Sequence, residues 1–234
     1  MKFLKDLKHY FGAARKHVKS HGVVKTVRTA FAMMAARIGD EISERRYGVS
    51  TSQNIYLNDL DIDEELKKHA AFYAPTQYSI LKSLLGRVDQ ARFGKAFVDY
   101  GCGRGRVLMV AARFGFLDLT GIELSASLSA YAKTVMAEVE QRYEVSTTIL
   151  CVNATEYKVP ATTSVLYFYN PFDETVMRPV IDNIMASLRE NPRDMCVIYA
   201  HDLHGEIFIE HGFTPTYSLE QGGVRSRIYI RSSG

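Results

Sequence analysis

Short apolar segments alternate with helical patterns from about residue 63 onward. Five of these segments have the length and composition of buried strands: 96–100, 118–122, 147–152, 164–169 and 195–200. Helical periodicity at 105–115, 125–143 and 174–189 separates several of them. This alternation predicts a doubly wound, mainly parallel α/β sheet. Two further strand segments, 213–219 and 225–231, flank Gly222-Gly223, so we predict seven strands and a C-terminal antiparallel hairpin.

Charge divides the chain into two regions. Residues 1–39 contain nine Lys or Arg and one acid, for a net charge of +8, whereas the remaining 20 basic and 25 acidic residues give −5. A polar stretch without clear periodicity, predicted to be an irregular connector, follows at 40–62. We therefore predict a basic helical extension with its connector over 1–62 and the α/β domain over 63–234.

The basic extension has two amphipathic patterns. Apolar residues recur at three- and four-residue spacing through 3–14 and again through 23–38, which predicts two helices, the second ending near Gly39. The favoured interpretation is that these helices pack on the domain or join copies in a homo-oligomer. Three other interpretations remain open. Residues 1–39 could bind nucleic acid or an acidic partner, contact an anionic membrane surface, or form a mitochondrial presequence.

Cysteine usage and hydropathy restrict the remaining classes. Cys102, Cys151 and Cys196 are far apart and form no CxxC pair, which favours a reducing compartment, a cytoplasmic location and no structural zinc. No run approaches the roughly 18 apolar residues that a membrane span requires, so no transmembrane segment is expected. The segment "HDLH" contains His201 and His204 but has no evident third ligand, so we predict no metal site. Shaping an acceptor pocket, deprotonating an amine and simple exposure to solvent remain open for these two histidines.

A glycine-rich turn follows the first strand candidate in "FVDYGCGRGRVL". Gly101, Gly103 and Gly105 allow a tight turn and a close approach of backbone N–H groups to a ligand. Arg106 stands where the dinucleotide fingerprint GxGxxG requires glycine, and the Lys-Ser/Thr of a P-loop is missing. Glu123 ends the next strand, where a carboxylate can accept hydrogen bonds from both hydroxyls of a ribose. The structural alternatives are that the three glycines only form a tight turn and that Glu123 only starts the next helix.

The segments "FVDYGCGRGRVL" and "GIEL" resemble motifs I and II of class I S-adenosylmethionine-dependent methyltransferases, and the resemblance extends over residues 70–234. It implies S-adenosylmethionine as the cofactor and S-adenosylhomocysteine as its product. Asp99 and the glycine backbone would hold the methionine part, Glu123 the ribose, and the side-chain carbonyl of Asn153 the adenine amine. The residues thus assigned to cofactor binding are Tyr73, Thr76, Asp99, Gly101, Cys102, Gly103, Gly105, Glu123, Leu124, Asn153, Ala154 and Asn170.

The fourth strand candidate ends in Asn170-Pro171-Phe172. In the family that the chain resembles, Asn/Asp-Pro-Pro-aromatic at this place marks methyltransferases that act on amino groups. The single proline, and "YAPTQYSIL" upstream, look more like bacterial relatives of non-SET lysine methyltransferases. The oxygens of Asn170 and Pro171 can accept N–H bonds from an amine, and Phe172 offers a π face to it. A simple strand-ending turn is the alternative.

The sequence therefore predicts an S-adenosylmethionine-dependent methyltransferase that acts on nitrogen, with Asn170, Pro171 and Phe172 as its catalytic residues. A protein amine such as lysine is the favoured acceptor, and small molecules or nucleic acids remain open. Two hypotheses from other classes remain. The first is a nicotinamide-dependent oxidoreductase, which Arg106 and the terminal hairpin disfavour. The second is a nucleotide-binding module without catalytic activity.

Overall fold

A computed structural model describes residues 23–52, 55–56, 59–70, 73–221 and 223–233, with side chains from residue 34 onward. Its sheet contains β1 (Ala96–Tyr100), β2 (Asp118–Glu123), β3 (Ser146–Cys151), β4 (Val165–Tyr169), β5 (Met195–Ala200), β6 (Thr214–Gln221) and β7 (Val224–Arg231). The strand order is β3-β2-β1-β4-β5-β7-β6. The first five strands are parallel, and β7 runs antiparallel to both of its neighbours. The predicted doubly wound, mainly parallel sheet of seven strands with a terminal hairpin is confirmed.

The helices cover both faces of the sheet. They are α1 (Val23–Tyr47), α2 (Glu64–Lys67), α3 (Tyr78–Leu85), α4 (Gln90–Phe93), α5 (Arg106–Arg113), α6 (Ala126–Tyr143), α7 (Glu174–Glu190) and α8 (Gly205–Glu210). Apolar side chains of α3, α5 and α6 pack on one face, and those of α7 and α8 pack on the other. Because both faces are covered, every residue of β1 and of β5 is buried, as expected for parallel strands.

The helix α1 is longer than its sequence pattern predicts. We expected it to end near Gly39, but it continues to Tyr47. Tyr47 is buried and its ring stacks on that of Tyr78, with ring centroids 5.4 Å apart. Asp40 Oδ1 also accepts a hydrogen bond from the backbone N–H of Tyr78 at 3.0 Å. These contacts with α3 stabilise two further helical turns that local propensity does not predict.

The segment "YAPTQYSILKSLLGRV" predicts a helix with Pro75 near its first turn, since its apolar residues share one face. The helix α3 instead starts at Tyr78 with Gln77 as its N-cap, so the proline precedes it. The predicted helical pattern over 3–14, the basic residues up to Lys19, and Gly222 of the terminal turn lie outside the described residues. Within the part that is described, no helix is both long and apolar enough to cross a membrane.

Candidate functional site

A cavity with a volume of about 130 Å³ lies at the carboxyl ends of the parallel strands. Most of the residues that the sequence assigned to a site line it. These are Tyr73, Thr76, Asp99, Gly101, Cys102, Glu123, Leu124, Asn153, Ala154, Pro171 and Phe172. Gly103, Gly105 and Asn170 do not line it. The carboxyl edge is where ligands bind in open α/β sheets, because loops from neighbouring strands converge there.

The glycine loop is held between two other segments of the site. Gly101 and Gly103 have φ angles of 76° and 54°, in the left-handed region that favours glycine. A Cβ on Gly101 would lie 2.7 Å from the Cβ of Pro171, and one on Gly103 would lie 2.1 Å from the ring of Tyr73. Glycine is therefore required at both positions by close packing as well as by backbone conformation. Gly105, with φ 81°, is the N-cap of α5.

Two carboxyl groups are buried beside this loop. Asp99 is 1% exposed, and its Oδ2 has no hydrogen-bond partner among the described residues. Burial, and then the neighbouring Glu123, raises the pKa of Asp99 well above that of an ordinary carboxyl. Glu123 accepts hydrogen bonds from the backbone N–H groups of Gly103 (2.8 Å) and Ser125 (2.9 Å). Burial raises the pKa of Glu123 by more than these bonds lower it. Such a pair favours the binding of a cation or of hydrogen-bond donors.

Cys102 lies in the same loop and is 4% exposed. Burial, and then the neighbouring Glu123 and Asp99, raises the pKa of its thiol well above the ordinary value. The thiolate, which is the reactive form of cysteine, is therefore disfavoured at this position. Cys102 is therefore suited to packing in the loop and not to acting as a nucleophile.

Asn153 caps the short 3-10 helix Ala154–Glu156. Its Oδ1 accepts hydrogen bonds from the backbone N–H of Thr155 at 3.0 Å and from the Thr155 hydroxyl at 2.9 Å. Because an N–H group must donate to the oxygen, the amide orientation is determined, and both lone pairs of that oxygen are engaged. Asn153 would therefore meet a purine through its N–H groups, and not through the carbonyl that we expected to accept.

The Asn170-Pro171-Phe172 turn contacts the cavity through its last two residues. Asn170 has φ 39°, a left-handed conformation that asparagine tolerates better than most residues. Its Oδ1 accepts a hydrogen bond of 3.2 Å from the hydroxyl of Tyr199, which leaves one lone pair available. Phe172 packs edge-on against Phe168, with ring centroids 6.3 Å apart. The turn thus combines an unusual backbone conformation with close packing, as functional turns often do.

A segment that we call the strap, residues 59–70 and 73–76, supplies several of the residues that line the cavity and is attached to the rest of the site at several points. Asp61 accepts hydrogen bonds from the hydroxyl of Ser125 and from both the N–H and the hydroxyl of Ser127. The hydrogen bond from Ser125 is the main cause of the lowered pKa of Asp61. The hydroxyls of Thr76 and Tyr167 form a buried hydrogen bond of 2.8 Å.

Further backbone contacts extend along the strap. Tyr73 pairs with Ile55 in an antiparallel bridge, and its hydroxyl donates to the carbonyl of Thr51 at 2.9 Å. Ala70 forms an antiparallel bridge with Phe172. The strap therefore joins the site to both α6 and the turn after β4.

Arg106 is a functional-site residue that sequence reasoning missed. The sequence leaves open whether its charge is on the surface or contacts a carboxylate, and in the structure it is 2% exposed and contacts two carboxylates. All five of its N–H donors are used, and its guanidinium lies 4.5 Å from the ring centroid of Tyr78. The five acceptors are Thr51 Oγ1, Asp40 Oδ2, the Thr76 carbonyl, Glu44 Oε1 and Ser52 Oγ. Arg106 thus attaches α1 and the strap to the first turn after the glycine loop.

The histidine that lines the cavity is one that the sequence analysis did not single out. His69, in the strap, lines the cavity, and its Nδ1 lies 2.8 Å from Oδ2 of Asp173. Neither His201 nor His204 lines the cavity, and the ring of His201 packs 5.9 Å from that of Tyr169. No local pattern distinguished His69, because its partner is 104 positions away in the sequence. Across the described ranges, no group of three or more His, Cys, Asp or Glu is arranged to hold a metal ion.

Comparison with known proteins finds similarity in solved structures alone. No family model matches the chain, and no curated protein matches it. A magnesium protoporphyrin IX methyltransferase from Synechocystis PCC 6803, with bound S-adenosylmethionine, is 17% identical over 66% of this chain and 77% of its own, with a TM-score of 0.47. An RNA methyltransferase from Salinibacter ruber, in complex with S-adenosylhomocysteine, is 19% identical over 68% and 93%, with a TM-score of 0.49.

A putative RNA methyltransferase from Pyrococcus horikoshii is 19% identical over 75% of this chain and 94% of its own, with a TM-score of 0.49. These solved structures differ in what their names say they act on, and their identities are below 20%. The similarities therefore say nothing about a methyl acceptor for this chain.

Proposed function

We propose that this protein is an S-adenosylmethionine-dependent methyltransferase that methylates a nitrogen atom. The observation that carries the proposal is the buried carboxyl of Asp99 beside Glu123 at the glycine loop, whose Oδ2 has no hydrogen-bond partner in the part of the chain that the structure describes. A carboxyl in this environment is stabilised in its charged form only when a cation or a donor approaches it. S-adenosylmethionine has a sulfonium, an ammonium and a ribose diol, so it supplies both kinds of partner.

The cofactor fits the chemistry of the lining residues. Asp99 and the glycine backbone would hold its amino acid part, and the carboxylate of Glu123 would accept hydrogen bonds from the ribose hydroxyls. Apolar side chains of Ile122, Leu124 and Val152 line the neighbouring part of the cavity, where a purine ring would be shielded from water. Asn153 and Ala154 lie at the same end and would meet the edge of the purine.

The cofactor supplies a methyl group on a positively charged sulfur, and the acceptor nitrogen displaces the sulfur, which retains the bonding electrons. The remaining tasks belong to the chain. The free lone pair on Asn170 Oδ1 and the carbonyl of Pro171 would accept N–H bonds and orient the nitrogen. Phe172 would support the positive charge that grows on it. The residues of the strap that line the cavity would exclude water from the reacting atoms.

We propose a protein amine such as lysine as the acceptor, because the Asn170-Pro171-Phe172 turn provides oxygens that accept N–H bonds and an aromatic ring that stabilises positive charge. Small molecules and nucleic acids remain possible acceptors. We also propose the division of the chain into a basic extension over 1–62 and a methyltransferase domain over 63–234, and a cytoplasmic location. The contacts of Asp40 and Glu44 with Arg106 support a role for the extension in stabilising the glycine loop.

Calorimetric titration with S-adenosylhomocysteine and with NAD tests the cofactor. We expect binding of S-adenosylhomocysteine and its loss in Glu123→Ala, because the ribose contact is removed. A matched control is Glu138→Ala, since Glu138 lies outside the cavity. Binding of NAD without S-adenosylhomocysteine would favour an oxidoreductase and refute the proposal.

Incubation of cell extract with labelled S-adenosylmethionine, followed by mass spectrometry, tests the acceptor. We expect label on amine nitrogens of proteins, and label on nucleic acid alone would contradict the acceptor class. Asn170→Ala separates a catalyst from an inactive module. It should lose transfer but retain S-adenosylhomocysteine binding, because Asn170 lies outside the cavity lining.

A further inference from the structure

His69 and Asp173 form a pair at the edge of the cavity. The Nδ1 atom of His69 lies 2.8 Å from Oδ2 of Asp173. The side chains are 38% and 43% exposed, so both the cavity and the solvent are accessible to the pair. Because the two ring nitrogens of histidine are on opposite sides, binding of Nδ1 to Asp173 directs Nε2 away from the carboxylate. Within the part of the chain that the structure describes, Nε2 has no hydrogen-bond partner.

Backbone contacts fix the pair next to the turn that would receive the acceptor. Ala70 and Phe172 form an antiparallel bridge, and the N–H of Asp173 donates to the carbonyl of His69 at 3.0 Å. His69 therefore lies beside Phe172, and both residues line the cavity. The strap and the turn after β4 meet at this point, so the imidazole, Pro171 and Phe172 line the same cavity.

Asp173 is itself held in place from a second direction. Its Oδ1 accepts hydrogen bonds from the backbone N–H groups of Thr175 (3.0 Å) and Val176 (3.4 Å), as the N-cap of α7. Burial raises the pKa of Asp173, but the hydrogen bonds from His69 and from the helix end outweigh it, so the pKa is lowered. Asp173 is therefore a rigid anion that holds the proton of the imidazole on Nδ1 and leaves Nε2 as an acceptor.

We propose that His69 is the general base of the reaction and that Asp173 is its positioning residue. This inference rests on the proposed function, since it assigns the proton that a nitrogen acceptor must lose. An ammonium acceptor has no lone pair, so one N–H bond must break before or during formation of the bond to carbon. The N–H electron pair stays on nitrogen, and the proton passes to Nε2, giving an imidazolium that Asp173 stabilises. Solvent then removes the proton through the exposed side of the ring.

No other charged group of the adjoining segments competes for this role. Lys67 and Lys68 pair with Glu64 and Glu65 on the same short helix, and Glu174 pairs with Arg178. Among the described residues that line the cavity, Tyr73, Tyr167 and Tyr169 carry phenols whose pKa values burial raises, and a neutral phenol is a poor base. Asp99 and Glu123 also line the cavity but are assigned to the cofactor, which leaves the imidazole of His69 as the proton acceptor.

His69→Asn and Asp173→Asn test the assignment in the full-length protein. The Nδ2 of asparagine can replace Nδ1 as a donor to Asp173, so His69→Asn retains the contact of the strap but removes the base. We expect transfer of label to the cell extract to fall about 10²- to 10⁴-fold. S-adenosylhomocysteine affinity should stay within about twofold, because the base does not contact the cofactor. His211→Asn, at the end of α8 and outside the cavity, should not change the rate.

A readout that is independent of turnover is the tautomer of His69, measured by ¹⁵N NMR without any added ligand. We expect the Nδ1–H form in the wild-type protein. In Asp173→Asn the cap is preserved, since Asn and Asp cap equally well, but the amide donates to Nδ1 and moves the proton to Nε2. That variant should lose transfer together with the change of tautomer.

The pH profile of the wild-type protein should differ from that of His69→Asn, because only the wild-type protein has the base. Free imidazole should increase the rate of His69→Ala. An unchanged rate and pH profile in His69→Asn, or an Nε2–H tautomer in the wild-type protein, would overturn the base while leaving the methyltransferase proposal intact. Failure of the wild-type protein to bind S-adenosylhomocysteine would overturn both.

Discussion

Replacing Arg106 by methionine removes five hydrogen bonds from a guanidinium that is 2% exposed. Methionine retains most of the apolar stem, so little volume is lost. The two carboxylates remain, however, with Asp40 only 16% and Glu44 only 13% exposed. Loss of one partner of a buried ion pair leaves uncompensated charge, which costs about 3–5 kcal/mol. We expect the free energy of unfolding to fall by about this amount.

Arg178→Met provides a matched control. Arg178 also contacts two carboxylates, Glu174 and Glu210, but it is 47% exposed. Exposed pairs contribute about 0.2–1 kcal/mol, because water solvates the charges when the pair is broken. The same substitution, with the same change of net charge and the loss of two carboxylate partners in each case, should therefore cost several-fold less at this position.

Urea unfolding followed by circular dichroism at neutral pH measures both variants. Adding Asp40→Asn and Glu44→Gln to Arg106→Met should recover part of the loss, since those changes remove the uncompensated charges. If Arg106→Met and Arg178→Met differed by less than about 1 kcal/mol, the argument from burial would be refuted. If the triple variant lost as much unfolding free energy as Arg106→Met alone, the cost would come from packing and not from charge.

Three further predictions concern the site. Gly103→Ala should abolish S-adenosylhomocysteine binding in calorimetry, because the methyl group would overlap a tyrosine ring, whereas Gly94→Ala, with φ 73° but open space, should bind normally. Asp99→Asn should raise the melting temperature at pH 7 but not below about pH 4. Because the pKa of Asp99 is raised in the folded protein, the stability of the wild-type protein is complete below the ordinary carboxyl pKa and decreases as the pH rises. An increase in melting temperature that did not depend on pH would contradict this reasoning. Thr76→Val and Tyr167→Phe should each cost about 1–3 kcal/mol in urea unfolding, because each leaves a buried hydroxyl unpaired, and their double variant should cost less than the sum.

The order of strands and helices was readable from the sequence because it depends on local periodicity. Alternation of buried segments with amphipathic helices, and glycines where a strand turns into a helix, predicted β1 to β5, the glycine loop and Glu123 at the edge of the sheet. A strand ending in Asn170-Pro171-Phe172 also predicted a turn at the same edge. Each of these features is determined by residues close together in the chain.

Contacts between distant residues were decided by the tertiary structure alone. Arg106 meets Asp40 and Glu44 more than sixty positions away, which buries its charge and holds the part of α1 beyond Gly39 against the domain. His69 meets Asp173 across 104 positions. Side chains of this kind carry no periodic signal, since their burial and partners depend on which loops the completed sheet brings together. The sequence determined where a site would form, and the packing of loops around the sheet determined which side chains can act in it.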